Sequence, residues 1–135
     1  MKFETNIVIT NTGEHYKTEI IAGSHVLVSD EPVDHDGKDL GPTAHQYLLS
    51  ALGSCTAITI RMYADRKKWP LEKVVVTLNM EKYVEEGEEK TRIFQKLELE
   101  GNLSDEQRER LKIITTKCPV HKTLTQPVTI QSFPQ

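Results

Sequence analysis

One long helical segment constrains this sequence more than any other feature. Thr43 can cap the amides of a first helical turn, Gln46 completes a capping-box pattern three residues later, and no proline follows until Pro70. Because proline disfavours helical geometry in the residue before it, we predict a helix over residues 43–69. About 26 residues span roughly 39 Å along a helix axis, a large dimension for a chain of 135 residues.

The faces of this predicted helix change character along its length. Its first two-thirds carry apolar or small residues on nearly every face, which is typical of a helix surrounded by protein. Its last turns are charged, and most of their charges are cations, which the helix dipole favours at that end. We therefore expect the beginning of the helix to be buried and its last turns to reach solvent.

Alternating apolar residues and turn-forming residues predict strands on both sides of the helix. Strands are expected over residues 3–10, 15–22, 25–29, 71–84, 91–99 and 126–133, with a solvated turn at 85–90. The long segment 30–42 is a candidate functional loop. Ser104 and Gln107 form a second capping-box pattern, which predicts a helix to about Lys117 and then a short helix over 119–124. The predicted fold is α+β, in the order β-β-β-α-β-β-α-β, as a single domain over residues 1–135.

Charge and hydropathy limit the classes of partner. The net charge is −3 and no basic stripe is present, so we expect no nucleic-acid partner. The N-terminus is polar, and the apolar run at 47–60 is too short and too interrupted for a membrane span of about 20 residues. We expect a cytoplasmic protein without membrane association. In that compartment a disulfide is more often transient and catalytic than structural.

Two cysteines carry most of the chemistry that this sequence offers. Cys55 lies in the middle of the long helix, and Cys118 precedes Pro119, which predicts Cys118 at the N-cap of the short helix. The positive end of a helix lowers the pKa of a thiol, whereas a mid-helix thiol such as Cys55 needs a nearby cation or donor. If the thiols meet, one can attack an oxidant and the other can close a disulfide. If they do not meet, both are small core residues.

The histidines near these cysteines have plain alternatives. Cys118 and His121 could supply two zinc ligands, but a structural zinc site needs four, so we expect no metal, with His121 packed near Cys118 or facing solvent. His45 lies ten residues before Cys55, about 15 Å along one helix. The His45 side chain can contact Cys55 only from another subunit or if the helix is broken between them. Otherwise His45 is an exposed residue of the first helical turn. A cysteine hydrolase would need a third residue to orient its histidine, and the sequence shows none, so this function is the least favoured of the three.

The sequence resembles the OsmC/Ohr family, the osmotically induced and organic-hydroperoxide-resistance proteins of the stress response. The resemblance lies in residues 22–32, 41–57, 61–71 and 118–124, and is greatest to the OsmC-like branch. It implies an intertwined homodimer with two long central helices packed on antiparallel sheets, and sites at the dimer interface. It also implies that no metal or bound organic cofactor is needed.

The resemblance further assigns roles to the two thiols. Cys55 corresponds to the peroxidatic cysteine, which attacks a hydroperoxide and becomes a sulfenic acid. Cys118 corresponds to the resolving cysteine, which condenses with the sulfenic acid to a disulfide that an external dithiol reduces.

The chain departs from the peroxidase members of the family at two places. Those members place a glutamate near the start of the cysteine helix, where this chain has His45 and Gln46, and an arginine on an early strand. Residues 1–60 contain no arginine, so a higher thiolate pKa is expected unless Lys17, His25 or His45 substitutes for it. Two functions follow: a thiol-dependent peroxidase that uses Cys55, or a binding protein on the same scaffold for a small apolar or electrophilic ligand.

Overall fold

The computed structural model describes residues 7–134, and the contacts of the chain group it into two compact units. The first unit ends at Leu48 and the second begins at Leu49. The prediction of a single domain stays a prediction.

The first unit contains a three-stranded antiparallel sheet in the order β1-β2-β3. Its strands are β1 (Ile7–Thr10), β2 (Thr18–Ala22) and β3 (His25–Ser29). The bounds of β3 match the prediction, and residues 3–6 of the predicted first strand lie outside the described residues. The second strand begins later than predicted, because the Asn11 side-chain amide donates to the carbonyls of His15 and Lys17 and thereby holds both in the preceding turn.

The loop between β3 and the long helix folds around Asp30, which is buried. The Asp30 carboxylate accepts hydrogen bonds from the backbone N–H groups of Glu31 at 2.8 Å and Leu40 at 3.2 Å. A short 3-10 helix, Val33–His35, lies between these two donors in sequence. The candidate functional loop is therefore ordered by a buried carboxylate that its own backbone satisfies.

The long helix α1 spans Ala44–Lys67, within two residues of the predicted bounds. The predicted capping box is present: the Thr43 hydroxyl accepts from the Gln46 N–H at 3.2 Å, and the Gln46 side chain accepts from the Thr43 N–H at 2.9 Å. The helix ends where Lys68 takes a positive φ of 59°, ahead of Pro70. No helix within residues 7–134 is both long enough and apolar enough to cross a membrane.

Only one stripe of α1 is buried, contrary to the expectation of a helix enclosed on nearly every face. The buried positions lie at helical spacing on the side that faces the rest of the second unit: Leu52, Gly53, Thr56, Ile60 and Ala64. On the other side Ile58 is 54% exposed and Met62 is 65% exposed. The apolar residues of α1 therefore exceed what this chain alone can cover.

A long hairpin, β4 (Leu71–Glu85) and β5 (Glu88–Gly101), packs against the buried stripe of α1. The approach is close at Gly53, where an added Cβ would lie 2.6 Å from a methyl carbon of Leu78. The predicted six-residue turn at 85–90 is wrong, since only Glu86 and Gly87 leave the strands. Both have positive φ, 52° and 79°, which suits a tight two-residue hairpin turn.

The second unit is closed by α2 (Asp105–Ile114) and α3 (Pro119–Leu124). The predicted capping box at Ser104 and Gln107 is present, and one 3-10 turn, Thr115–Lys117, replaces the predicted end of the helix. α2 has 10 residues, so α1 is the one long helix that residues 7–134 of a single chain contain. The core joins α1, α2 and the hairpin through Ile60, Ala64, Leu71, Leu103, Leu111 and Ile114.

The predicted final strand over 126–133 is not formed within the described residues. The segment 126–134 has no regular structure, and its apolar residues Val128, Ile130 and Phe133 are 60%, 86% and 62% exposed. A strand needs a partner edge, and Pro127 cannot donate to one. The α+β class with antiparallel sheets is confirmed, with five strands in residues 7–134 rather than the predicted six.

The packing of α2 predicts a contrast between two adjacent isoleucines. Ile114 is 5% exposed and belongs to the core, whereas Ile113 is 53% exposed. We expect Ile114→Ala to lower the free energy of unfolding by about 2–5 kcal/mol, because it removes buried methyl groups and leaves a cavity. Ile113→Ala, the matched control, changes it by about 0.5 kcal/mol or less. Urea unfolding followed by circular dichroism measures both, and equal losses would contradict this account of the core.

Candidate functional site

The two cysteines lie side by side in the second unit. Cys55 is partly buried on α1, and Cys118 is fully buried at the N-cap of α3, with φ −62° and ψ 127°. Both are free thiols, and a hydrogen bond joins their side chains. The N-cap position of Cys118 and the predicted start of α3 at Pro119 are confirmed.

The core brings together two thiols that lie 63 positions apart in the sequence. Leu111 and Ile114 of α2 pack in one cluster with Ile60 and Ala64 of α1. A single 3-10 turn then leads from Ile114 to Cys118. This turn places Cys118 beside Cys55 on α1. The hydrophobic contacts between the helices thus set the position of Cys118.

Cys55 is the more acidic of the two thiols. Burial raises the pKa of Cys55, but three hydrogen bonds outweigh it: from the Cys118 thiol, the backbone N–H of Val120 and the Thr59 hydroxyl. The net pKa of Cys55 is below its usual value, because these donors stabilise the thiolate. Neutral groups therefore supply the donors that a mid-helix thiol requires.

Cys118 has a raised pKa, contrary to the expectation from its helix position. Burial raises the pKa of Cys118 most, and its hydrogen bond to Cys55 raises it further. These effects outweigh the backbone N–H groups of Val120 and His121, the latter at 3.4 Å from the sulfur. Desolvation prevails over the favourable end of a short helix, so Cys118 keeps its proton when Cys55 loses one.

A cavity of about 650 Å³ opens beside Cys55. Its lining is mostly apolar or small, with a few polar and charged groups: Ala51, Ser54, Ile58, Thr59, Met62, Tyr63, Arg66, Ile114, Lys117, Pro119 and Val120. The volume suits a small-molecule ligand, and the apolar lining favours an apolar body. Cys118 is absent from the lining, so a ligand in this cavity meets Cys55 first.

Cations gather around Tyr63 at the part of the cavity remote from Cys55. The Arg110 Nε donates to the Tyr63 hydroxyl at 3.0 Å, and the charged groups of Arg66, Lys67 and Arg110 lie 5.5–5.7 Å from the centre of its ring. The hydrogen bond from Arg110 lowers the pKa of Tyr63 most, and the three positive charges lower it further. This part of the site therefore has a positive potential.

His121 lies in the first turn of α3 and is partly buried. Its backbone N–H contacts the Cys118 sulfur, while the residue lines a separate cavity of about 250 Å³ with Leu52 and Gln95. The prediction that His121 packs near Cys118 is confirmed for its backbone. Within residues 7–134, no three His, Cys, Asp or Glu side chains are grouped as a metal site would require.

The other predicted activating residues lie in the first unit and have other partners or are exposed. His45 is exposed in the first turn of α1, and the Gln46 side chain is engaged in the helix cap. His25 is exposed on β3, and Lys17 forms a salt bridge with Glu14 at 3.6 Å. The continuity of α1 supports the helix-length argument against His45 contacting Cys55 along the same helix.

Sequence reasoning missed several residues of the site. Thr59 lies four residues after Cys55, one helical turn along the same face, and Arg66 lies eleven residues after it, about three turns further on. Both could have been found from helical spacing. The Val120 N–H follows from the N-cap pattern, since the second and third helical amides point at the capping side chain. The role of Tyr63 depends on Arg110, 47 positions away, and local spacing carries no signal for it.

Comparison with known proteins identifies the architecture. A family model described as OsmC-like protein matches residues 35–132. No curated protein matches this sequence. Among solved structures, an OsmC-like protein from Mycoplasma pneumoniae is 21% identical, with a TM-score of 0.74 over 92% of this chain and 89% of that chain.

Two further solved structures have the same fold. A protein of Psychrobacter arcticus, described by osmotic stress induction and detoxification response, is 18% identical with a TM-score of 0.75 over 91% of this chain and 90% of that chain. An organic hydroperoxide resistance protein OsmC from Legionella pneumophila is 20% identical with a TM-score of 0.66 over 92% of each chain. Because the family model covers well over half of the sequence, this chain belongs to the OsmC-like protein family.

Proposed function

We propose that this protein is a thiol-dependent peroxidase that reduces organic hydroperoxides with Cys55 as nucleophile and Cys118 as resolving thiol. The observation that carries the proposal is the pair itself. A thiol of lowered pKa faces an apolar cavity, and a buried, protonated second thiol is hydrogen-bonded to it. This difference in acidity matches the two roles, since the thiolate attacks the hydroperoxide and the neutral thiol reacts only afterwards with the oxidised Cys55.

The proposed reaction balances in three steps. The Cys55 thiolate attacks the terminal oxygen of the hydroperoxide, the O–O bond breaks, and the alkoxide takes a proton and leaves as an alcohol. Cys55 is thereby oxidised to a sulfenic acid. The Cys118 sulfur then attacks the Cys55 sulfur, and water leaves as the disulfide forms. An external dithiol, itself oxidised to a disulfide, returns both cysteines to thiols by exchange.

The thiolate in this proposal is stabilised by neutral donors. The Thr59 hydroxyl and the Val120 N–H do what the early-strand arginine does in peroxidase members of the family. Neutral donors stabilise a thiolate less than a guanidinium does, so slower turnover than in those members is part of the proposal. A cytoplasmic location, where dithiol reductants keep cysteines reduced, is also part of it.

The alternative is a binding protein for a small apolar or electrophilic ligand. The observation that favours it is the apolar lining of the 650 Å³ cavity. In that case hydroperoxide leaves the thiols intact, whereas ligand binding survives replacement of both cysteines by serine.

The peroxidase proposal predicts different products from two cysteine variants. On treatment of the reduced protein with cumene hydroperoxide, we expect the wild type to lose both thiols and to gain an intramolecular disulfide. Cys118→Ser should stop at a sulfenic acid on Cys55, since no thiol can condense with it, and Cys55→Ser should keep its Cys118 thiol. Thiol titration and intact mass spectrometry measure these products. Survival of both wild-type thiols in a large excess of oxidant would eliminate the peroxidase.

The hydrogen bond from Thr59 predicts a pH effect. Donors that favour the thiolate lower the pKa of Cys55, so Thr59→Val should raise it, and the pH profile of Cys55 alkylation should move to higher pH. Thr77→Val, on an exposed position of β4, serves as the matched control and leaves the profile unchanged. Site-resolved mass spectrometry of iodoacetamide labelling measures the profile. An unshifted profile in Thr59→Val would show that the hydroxyl does not stabilise the thiolate.

We also propose a homodimer, because this chain leaves Ile58, Met62 and the C-terminal Ile130 exposed. Light scattering at micromolar concentration should report about twice 15.4 kDa. If the segment 126–133 pairs as a strand in the dimer, Ile130 and Thr129 lie on opposite faces. Ile130→Asp should then weaken the dimer far more than Thr129→Asp. A stable monomer at that concentration would refute the dimer.

A further inference from the structure

The two cysteine sulfurs belong to helices that are held very differently. Cys55 lies in the middle of α1, a helix of 24 residues with a buried stripe that runs from Leu52 to Ala64. Cys118 caps α3, which has six residues and no fully buried side chain. Six residues are too few for a helix that is stable by itself, so α3 depends on what holds its ends. If the two sulfurs move relative to each other, α3 moves rather than α1.

The sulfurs themselves hold the N-terminus of α3. The backbone N–H of His121 donates to the Cys118 sulfur at 3.4 Å, and the backbone N–H of Val120 donates to the Cys55 sulfur. Pro119, the first helical residue, has no N–H group. The thiolate form of Cys55 adds a negative charge next to the positive end of the helix, which is favourable. The reduced pair is therefore part of what stabilises α3.

The rest of the chain adds little to this anchor. Within residues 7–134, the other hydrogen bonds of the segment 119–125 stay inside residues 118–125, such as that from the Thr125 N–H to the His121 carbonyl at 3.1 Å. Beyond Thr125, residues 126–134 have no regular structure. The hydrogen bonds that join α3 to α1 are thus confined to the two sulfurs.

Closure of a disulfide weakens both of these hydrogen bonds. A covalent bond brings the two sulfurs closer than a hydrogen bond allows, and it fixes the directions of both Cβ–S bonds. It also removes the negative charge of Cys55, so the Val120 N–H keeps only a neutral, weakly accepting sulfur as its partner. A helix that loses its N-cap acceptor frays from that end. Oxidation of the pair therefore loosens α3.

The reductant of this disulfide needs a sulfur that it can reach and a thiol that can leave. Thiol–disulfide exchange is faster when the departing thiol has the lower pKa. The pKa of Cys55 is lowered and that of Cys118 is raised, so Cys55 is the better leaving group and the Cys118 sulfur is the preferred target. In the reduced protein Cys118 is 0% exposed and does not line the cavity beside Cys55. Loosening of α3 after oxidation removes that obstacle.

We propose that closure of the Cys55–Cys118 disulfide releases α3 from its N-cap and exposes the Cys118 sulfur as the atom that a dithiol reductant attacks. One thiolate of the reductant bonds to the Cys118 sulfur, the disulfide bond breaks, and Cys55 leaves as a thiolate. The second thiol of the reductant then attacks the reductant's own sulfur in this mixed disulfide and passes its proton to the departing Cys118, which leaves the reductant as a disulfide. The proposal rests on the proposed peroxidase cycle and gives Cys118 a second role in it.

Hydrogen exchange tests the release of α3 without any peroxidase step. Diamide, which takes two hydrogens directly from a pair of thiols, converts the reduced protein to the disulfide, and mass spectrometry compares amide exchange in the two forms. We expect the amides of residues 120–125 to exchange about tenfold faster in the disulfide form, while those of α2 keep their rate. Equal exchange of residues 120–125 in both forms would overturn the proposal. Failure of diamide to close the disulfide would overturn it as well.

Cys118→Ser is the matched control for the effect of diamide. Serine keeps a capping side chain at the start of α3 but cannot form the intramolecular disulfide. Diamide should therefore leave the exchange of residues 120–125 unchanged in this variant. The same acceleration in Cys118→Ser as in the wild type would contradict the proposal, because it would arise from something other than the disulfide.

A trapping experiment identifies the sulfur that is attacked. The diamide-oxidised protein is exposed briefly to glutathione, a monothiol that stops at the mixed disulfide, and the reaction is quenched with acid. Peptide mass spectrometry then locates the glutathione. We expect it on Cys118 in about tenfold excess over Cys55, with the Cys55 thiol free. Glutathione mainly on Cys55 would overturn the assignment of Cys118 as the target.

These measurements separate the inference from the peroxidase itself, because neither uses a hydroperoxide. If α3 is released and glutathione is found on Cys118, but cumene hydroperoxide leaves both thiols intact, the peroxidase fails and the redox release of α3 stands. If cumene hydroperoxide closes the disulfide, but residues 120–125 exchange as in the reduced protein, the peroxidase stands and the release of α3 fails.

Discussion

The packing of α1 against α2 is the interaction on which the site depends. Ile60 and Ala64 on one helix and Leu111 and Ile114 on the other are all at most 5% exposed, and they share one core. Burial of apolar surface of this kind is the main stabilising contribution in a small domain. Because α2 is fixed in this way, the single turn that follows it can place Cys118 against α1. Chemistry at Cys55 thus depends on hydrophobic contacts that contain no reactive group.

Desolvation and hydrogen bonding act in opposite directions on the two thiols. Cys118 has no exposed surface, and burial prevails over the amides of the short helix that it caps. Cys55 is less buried and collects three donors, one of them the Cys118 thiol itself. Each thiol therefore shifts the other, and the proton stays on Cys118. The groups that lower the pKa of Cys55 are neutral donors, which is consistent with a chain that lacks arginine over residues 1–60.

The apolar residues that the chain leaves exposed are as informative as its core. α1 has one buried stripe and a second apolar face around Ile58 and Met62, and the segment 126–134 carries alternating apolar residues without a partner edge. Both features come from a sequence pattern that exceeds what one chain covers. They explain why the expectations of an enclosed helix and of a final strand were not met within the chain. The same exposed apolar surfaces are the physical reason for proposing a dimer.

The sequence by itself determined the local elements. Capping residues, prolines and alternating apolar positions located α1, α2, α3 and β3 to within a few residues, because helix ends and tight turns depend on neighbouring residues. The same reasoning placed Cys118 at an N-cap. It overestimated the β4–β5 turn, since cross-strand salt bridges such as Lys90 with Glu85 let charged residues remain in the strands.

Only the tertiary structure decided which thiol is acidic and what surrounds it. The pKa of Cys118 depends on how deeply it is buried, and burial is set by residues far away in sequence. The cations around Tyr63 come from α1 and α2, 47 positions apart for Tyr63 and Arg110, and they meet because the core holds those helices together. Neither the burial of a residue nor a contact between distant residues can be predicted from local sequence, since both result from the way the whole unit packs.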